Sequence, residues 1–318
     1  MKASVWTRYG PPEVMELQEV ERPAPKDNEV LVRVHAASIN SWDWELTQGV
    51  GHITLGGRAR PPYRILGCDI SGTVEKVGGK VTLFKPGDQV FGDLSGSGWG
   101  GFAEFVCAKE KVLAPKSASM SHEEASATPQ AALLALQGLR KGGLEEGQRV
   151  LVNGAGGGVG TFAIQIARSF GTEVTGVDRG DKAETMLSVG ADHVIDYEKE
   201  DFTRRGEVYD LILDVTSNRS VFDYKRALAP KGAGVILGGK GRKVLGALFL
   251  GSWVLGSRKV RLLLLRANPR DLVHMNELFE AGKVKPVIDR RFPLSEVAEA
   301  FRYYSEGHVK GKIVVTVG

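Results

Sequence analysis

Across roughly the first 115 residues, apolar positions recur at every second place in short runs: MKASVW, EVLVRVHAAS, ISGTVEKVG, DQVFGD and FAEFVCA. Turn-forming stretches such as Lys85-Pro86-Gly87-Asp88 separate them. A period of two punctuated by Gly and Pro predicts the strands of an all-β barrel or sandwich. The period then lengthens. Ser121 reads as a helix cap, with Glu123 and Glu124 as solvated acids of a first turn, and an Ala/Leu-rich helix is expected to run to about residue 139. Beyond it, strands at 149–153, 173–177, 193–195, 209–215, 234–237 and 260–265 are separated by helices at 159–170, 182–189 and 221–229. Unbroken apolar runs such as LILDV and GVILGG suit parallel strands covered on both faces, so an α/β fold with an open, doubly wound sheet is predicted here. The end of the chain returns to β character, with KVKPVID, a helix at 295–305 and KIVVTV. This tail is expected to rejoin the first domain. The division predicted is a β domain of 1–122 completed by 283–318, around an α/β domain of 123–282.

Composition narrows the class. With 42% hydrophobic and 25% charged residues, the 318-residue chain has a globular balance, and its 41 glycines are the outlier. A net charge of +4, dispersed along the chain, gives no reason to expect nucleic acid. The N-terminus has no apolar core of a signal peptide. The longest apolar stretch, 244–257, is too short to span a bilayer, which takes about 20 residues. Two cysteines, Cys68 and Cys107, make neither a disulfide framework nor a multi-thiolate zinc site. They read as small buried hydrophobes in a reducing, cytoplasmic setting.

One loop carries chemistry. The strand RVLVN runs into Gly154-Ala155-Gly156-Gly157-Gly158-Val159-Gly160 and then the helix TFAIQIARSF. Val159 occupies the last Gly of a strict GxGxxG; the spacing present is GxxGxxG, at Gly154, Gly157 and Gly160. An acid, Asp178, ends the next strand at about the distance of 20 residues that a dinucleotide site needs. Backbone amides and a helix N-terminus without obstructing side chains suit a pyrophosphate. Asp178 suits the ribose of NAD, whereas Arg179 and Lys182 suit the 2′-phosphate of NADP. The pattern leaves NAD and NADP open.

Taken together, the β domain, the glycine loop and the C-terminal return resemble the medium-chain dehydrogenase/reductase superfamily, in its zinc-free, quinone oxidoreductase-like branch. The stretches that carry the resemblance include ILGCDISGTVEKVG, FKPGDQVFGD, GAGGGVGTFAIQIARSFG, GADHVIDY and GKVKPVIDRRFPLSEVAEAFRYYSEGHVKGKIVV, in family order over essentially the whole chain. The resemblance implies a GroES-like β-barrel catalytic domain, a Rossmann cofactor domain and an active site in the cleft between them. It aligns Asn40, Cys68 and a position near Gln130 with the ligands of the catalytic zinc in zinc alcohol dehydrogenases. One thiol and two amides make a poor zinc set, and no metal is expected. Without a Lewis acid, a quinone or an α,β-unsaturated carbonyl, which spreads the charge delivered by hydride, is the expected substrate class.

The resemblance also implies the site. Asn40 can donate to a substrate carbonyl, or serve a turn. Asp43 can orient Asn40 or the nicotinamide ribose, or act as a helix-start acid. Trp42, Trp44 and Tyr63 can wall a flat slot or pack the core, and Tyr63 can supply a proton. Ala155, Gly156, Gly157, Gly158 and Val159 map onto cofactor contacts, Tyr197 onto the adenosine side, and Leu237, Gly238 and Gly239 onto the nicotinamide side. Leu134 stands where zinc enzymes carry a Thr beside the nicotinamide. The segment 244–257, flanked by Arg242, Lys243, Arg258, Lys259 and Arg261, reads as a cap on the substrate pocket or a dimer surface; weak membrane-surface contact is the alternative. A homodimer is the family expectation. An alcohol dehydrogenase, or a nucleotide-binding protein without turnover, are the competing functions.

Overall fold

The computed structural model describes residues 1–49, 61, 63–237 and 255–318. Gly238, Gly239, Arg242, Lys243 and residues 244–254 of the apolar segment lie outside the described residues. The chain divides into two compact units: Met1–Gln130 with Ala267–Ala281 and Pro286–Gly318, and Ala131–Arg266 with Gly282–Lys285.

Unit 1 holds β1 (Lys2–Trp6), β2 (Met15–Glu19), β3 (Glu29–Ser38), α1 (Ser41–Thr47), β4 (Asp69–Val77), β5 (Gln89–Asp93), β6 (Phe105–Lys109), β7 (Leu113–Pro115) and α2 (His122–Ser126). β1 and β2 form an antiparallel pair. A seven-stranded sheet runs β14-β15-β3-β4-β5-β7, with β6 also on β3; its late strands are β14 (Ile288–Pro293) and β15 (Lys312–Thr316). β15 lies between β14 and β3 in this sheet. The core gathers Trp6, Val32, Leu46, Ile70, Phe102 and Phe301. Alternation in β3 places Val30, Val32 and Val34 in this core, which is why its period-two pattern was legible.

Unit 2 holds α3 (Pro129–Gly142, from its third residue), β8 (Arg149–Asn153), α4 (Gly158–Ser169), β9 (Glu173–Asp178), α5 (Ala183–Ser188), β10 (His193–Asp196), β11 (Tyr209–Asp214), α6 (Val221–Ala227), β12 (Leu228–Ile236) and β13 (Lys259–Leu262). Its six strands are all parallel in the order β10-β9-β8-β11-β12-β13. The order reverses between β8 and β11, and the carboxyl ends of strands at such a reversal are where ligands bind in open sheets.

Four expectations change. The helix expected from 121 to 139 is two helices, because Pro129 disfavours helical backbone at Thr128 and opens a new helix itself. The helix 221–229 ends at Ala227, and β12 begins at once at Leu228. α7 (Pro269–Glu280) was not anticipated, although Asn268 accepts the Asp271 amide at 2.9 Å and Pro269 opens the first turn. α2 and α7 both belong to unit 1, whereas 123–282 assigned them to the second domain. Ser38 Oγ donates to the Ser126 carbonyl at 2.9 Å, and Asn276 Nδ2 donates to the Pro115 carbonyl at 2.9 Å. α8 (Val297–Ser305) packs Val297, Ala300 and Phe301 into the unit 1 core. No helix among the described residues is long and apolar enough to cross a membrane.

Candidate active site

In unit 2 the glycine loop sits at the reversal of the sheet. β8 ends at Asn153, whose Nδ2 donates to Asp214 Oδ1 and Thr216 Oγ1 at 2.8 Å each, tying it to the loop after β11. Asp214 also accepts from Tyr224 Oη at 2.6 Å and from the Ser217 amide at 2.8 Å. Sequence reasoning did not find this buried network; the polar Asn153 and Asp214 ending two apolar strands were its signal. Gly154 has φ +90°, a conformation that favours glycine. At Gly160 an added Cβ would lie 2.3 Å from the Gly154 carbonyl oxygen, so here glycine serves close packing of helix on loop. At Gly157 the nearest atom to such a Cβ among the described residues is the Gly154 carbonyl oxygen at 3.8 Å, so there is room for one more group at that position. Gly157 also precedes α4 without a side-chain cap on its amides. An uncapped helix N-terminus beside open space fits a phosphate group.

Asp178 ends β9 and is folded into the loop. Its Oδ2 accepts the Gly156 amide at 2.9 Å and its Oδ1 the Arg179 amide at 2.8 Å. Lys182, itself buried, stands 3.4 Å from Asp178 Oδ1. Arg179 reaches the carboxylates of Asp181 and Glu198 at 3.6 and 3.9 Å, yet its buried Nε makes no hydrogen bond among the described residues. Tyr197 is exposed beside them, its amide on the Asp178 carbonyl at 3.2 Å. The Leu237 amide donates to the Asp214 carbonyl at 3.0 Å.

In unit 1, Asn40, Cys68 and Gln130, which the resemblance aligned with zinc ligands, meet in space. Asn40 Nδ2 donates to Asp69 Oδ2 at 2.9 Å and to Cys68 Sγ at 3.2 Å, and Gln130 Nε2 donates to the same sulfur at 3.4 Å. The Gln130 amide donates to both Asp69 oxygens, at 3.1 and 3.2 Å. Lys312 enters from β15, only 3% exposed. It donates to Asn40 Oδ1 at 2.5 Å and to the Ile39 carbonyl at 3.0 Å, with Asp69 Oδ2 at 3.6 Å. Burial pushes the Asp69 carboxyl up to about 7, with the Lys312 ammonium holding it back. Burial first, and then the carboxylates of Asp43, Asp69 and Asp93, push the Cys68 thiol well above its ordinary value.

Asp43 forms a capping box with Asn40 at the start of α1. Its Oδ2 accepts the Asn40 amide, and its Oδ1 accepts the Gly67 amide and Trp99 Nε1, all at 3.0 Å. The carboxyl is fully buried, which pushes it up to about 6. Every oxygen is engaged, so Asp43 holds the Asn40 turn, Gly67 and Trp99 in place. The aromatic slot needs one correction. Tyr63 stacks on Trp99 with centroids 4.6 Å apart, and Trp42 meets the edge of Trp99 at 5.7 Å. Trp44 turns instead to Phe301 and Tyr304 at 6.4 and 6.3 Å, because its place on α1 faces α8. Trp99 was missed; its glycine-flanked setting, Gly98-Trp99-Gly100-Gly101, was the available signal.

Zinc does not fit this donor set. Asn40 and Gln130 aim N–H groups rather than lone pairs at Cys68, the thiol is held in its protonated form, and an ammonium stands beside Asp69.

Residues 26–118 match the family described as "Alcohol dehydrogenase GroES-like domain", and 189–315 the one described as "Zinc-binding dehydrogenase". The chain belongs to the medium-chain dehydrogenase/reductase superfamily of oxidoreductases, in its quinone oxidoreductase-like branch. It is 33% identical to the mouse mitochondrial NAD(P)H oxidoreductase RTN4IP1, over 100% of this chain and 89% of that protein. Identity to the 2-methylene-furan-3-one reductase of Solanum lycopersicum is 34%, over 99% and 79% of the two chains. The solved quinone oxidoreductase from Coxiella burnetii superposes with a TM-score of 0.91 at 30% identity, covering 100% of this chain and 99% of the other.

Proposed function

We propose that the protein reduces quinones or α,β-unsaturated carbonyls with NAD(P)H and without zinc. One observation carries the reading: the uncapped N-terminus of α4, with open space over Gly157, beside an acid that ends β9. The names of the relatives support it, since they include an NAD(P)H oxidoreductase, a reductase of a conjugated ketone and a quinone oxidoreductase. When bound, NAD(P)H supplies a hydride. Gly157, Gly158 and Val159 hold its pyrophosphate through backbone amides, while Ala155 and Gly156, whose amides bond the Val177 carbonyl and Asp178 Oδ2 at 3.1 and 2.9 Å, shape the loop beneath it. Tyr197 lines the adenosine side. Leu237 takes the nicotinamide side. Asn40 polarises the acceptor oxygen: its bond to Cys68 sulfur is the weaker of its two donations, because sulfur is a poor acceptor, and is the one an acceptor replaces. Asp43 is a positioning residue for Asn40. Water or Tyr63 supplies the proton. A conjugated acceptor matches this set, because its developing charge is spread and a few hydrogen bonds suffice. The proposal includes a homodimer and a reducing cytoplasm, the latter supported by two cysteines that form no disulfide.

The test follows oxidation of NADH and NADPH against a benzoquinone, a naphthoquinone, a linear enone and a saturated ketone, with and without a chelator. Turnover of quinone or enone, untouched by the chelator and absent with the ketone, is expected. Chelator-sensitive turnover, or a ketone reduced as well as an enone, would overturn the reading. Silence across the panel with dinucleotide still bound would favour a binding protein without turnover.

Within this proposal NADPH is the preferred form. Lys182 offsets the Asp178 charge that would repel a 2′-phosphate, and the part-exposed Arg179 side chain, held only loosely by Asp181 and Glu198, can turn its guanidinium to one. Arg179→Ala is expected to raise the KM for NADPH roughly 10-fold or more, the scale of one charge-assisted hydrogen bond, while KM for NADH stays within about twofold. Equal losses for both cofactors would refute the assignment.

A further inference from the structure

Cys68 Sγ and carboxylate oxygens of Asp69 and Asp93 lie within 4.8 Å of one another, all fully buried. Asp93 Oδ2 is buried without a hydrogen-bond partner among the described residues. A thiolate with two carboxylates is a chemically sound set for zinc or cobalt. The set is therefore nearly a metal site, and a single cationic side chain stands against it. Lys312 Nζ stands 3.6 Å from Asp69 Oδ2 and is anchored on the Ile39 carbonyl at 3.0 Å and on Asn40 Oδ1.

We infer that Lys312 is the resident cation of the Cys68–Asp69–Asp93 set: its anchored ammonium takes the electrostatic place of a divalent ion and keeps metal out. The inference rests on the zinc-free reading above and supplies its physical cause. In a buried site of low dielectric, a divalent ion brought against these ligands would meet a fixed positive charge a few ångströms away. It would also have to expel the Cys68 proton, since the metal ligand is the thiolate. Lys312 cannot swing aside easily, because two acceptors besides Asp69 hold it, and β15 is an inner strand of the sheet. Asn40 and Gln130 reinforce the exclusion by donating N–H to the sulfur.

The experiment exposes full-length wild type, Lys312→Met and Lys312→Met/Cys68→Ser to Co²⁺, removes loose metal by desalting, and records bound cobalt and the thiolate-to-cobalt absorption. Lys312→Met is expected to retain one Co²⁺ per chain with the thiolate band, binding roughly 100-fold more tightly than wild type. The band should vanish in the double variant. A folded Lys312→Met that shows no more thiolate-bound cobalt than wild type would overturn the inference and leave the zinc-free reading standing. A thiolate band in wild type would overturn both. Should Lys312→Met not fold, Lys312→Gln keeps an N–H donor for Asn40 and Ile39 without the charge. For either variant, refolding that recovers only with Co²⁺ supports the inference, and refolding indifferent to Co²⁺ refutes it.

Discussion

Gly160→Ala is expected to abolish dinucleotide binding, whereas Gly157→Ala weakens binding and leaves the fold intact. The two glycines belong to one motif but do different physical work. A Cβ at Gly160 would sit 2.3 Å from the Gly154 oxygen, 2.4 Å from Ala155 Cα and 2.5 Å from the Ala155 carbonyl carbon. All three are backbone atoms, so α4 must retreat from the loop by roughly 1 Å to restore contact distances. Overpacking of this kind costs about 1–3 kcal/mol and pulls the helix amides away from the phosphate site. At Gly157 the backbone, φ −89° and ψ −176°, suits any residue, and the nearest atom to an added Cβ is 3.8 Å off. Its melting temperature should stay within about 2 °C of wild type. Its affinity for NADPH, measured by fluorescence titration, should fall roughly 10-fold or more, because on the function proposed above the methyl group would take space meant for the pyrophosphate. Unchanged affinity in Gly157→Ala would place the pyrophosphate elsewhere.

Lys312→Met is expected to cost unit 1 about 3–5 kcal/mol, because it leaves Asp69 buried without its cation. The loss depends on pH in a direction that can be worked out. Burial raises Asp69 to about 7 and Asp43 to about 6, against ordinary values near 3.8. The native state therefore holds protons that the unfolded chain has released. The stabilisation this gives is complete below about pH 4 and is lost as pH rises through 6 to 7. Lys312 opposes the rise at both carboxyls. Without it they must stay protonated to higher pH, so the deficit of the variant should be small at pH 5 and largest at pH 8. Thermal melts at the two pH values read the difference. Asp69→Asn added to Lys312→Met removes the orphaned charge and should recover most of the loss at pH 8. A deficit independent of pH would mean that lost packing of the Lys312 stem, rather than charge, is responsible.

The sequence shows clearly whatever depends on near neighbours. β3 was legible to the residue because its pleat puts alternate side chains in the core. The glycine loop was legible because strand, turn, helix and acid follow each other within one β–α–β unit. The break at Pro129 was missed, because the Ala/Leu-rich run after it reads as one continuous helix. The early start of β12 was hidden because Leu228 and Ala229 suit helix and strand alike, and only pairing with β11 decides. In the candidate site, Asn40 and Cys68 were found, but their neighbour Lys312 was not. A Lys in a terminal strand looks like a solvated edge residue until the sheet order places it inside. Trp99 was hidden in the same way, since its donation to Asp43 spans 56 positions.

The placement of β15 also orders the assembly of the protein in time. Asn40 and Lys312 are 272 positions apart. At translation rates of roughly 5–20 residues per second, the lysine is made roughly 15–55 s after the asparagine. During that interval the whole of β8 to β13 leaves the ribosome and can settle as a unit, while β3, already paired with β4 and β6, waits for a partner only at its residues 36–38. The acid cluster stays without its counter-charge until the last strand docks. A nascent chain stalled before residue 312 should thus have a folded α/β unit and an open, protease-sensitive β unit, and completing the final strand should close the second in a single step.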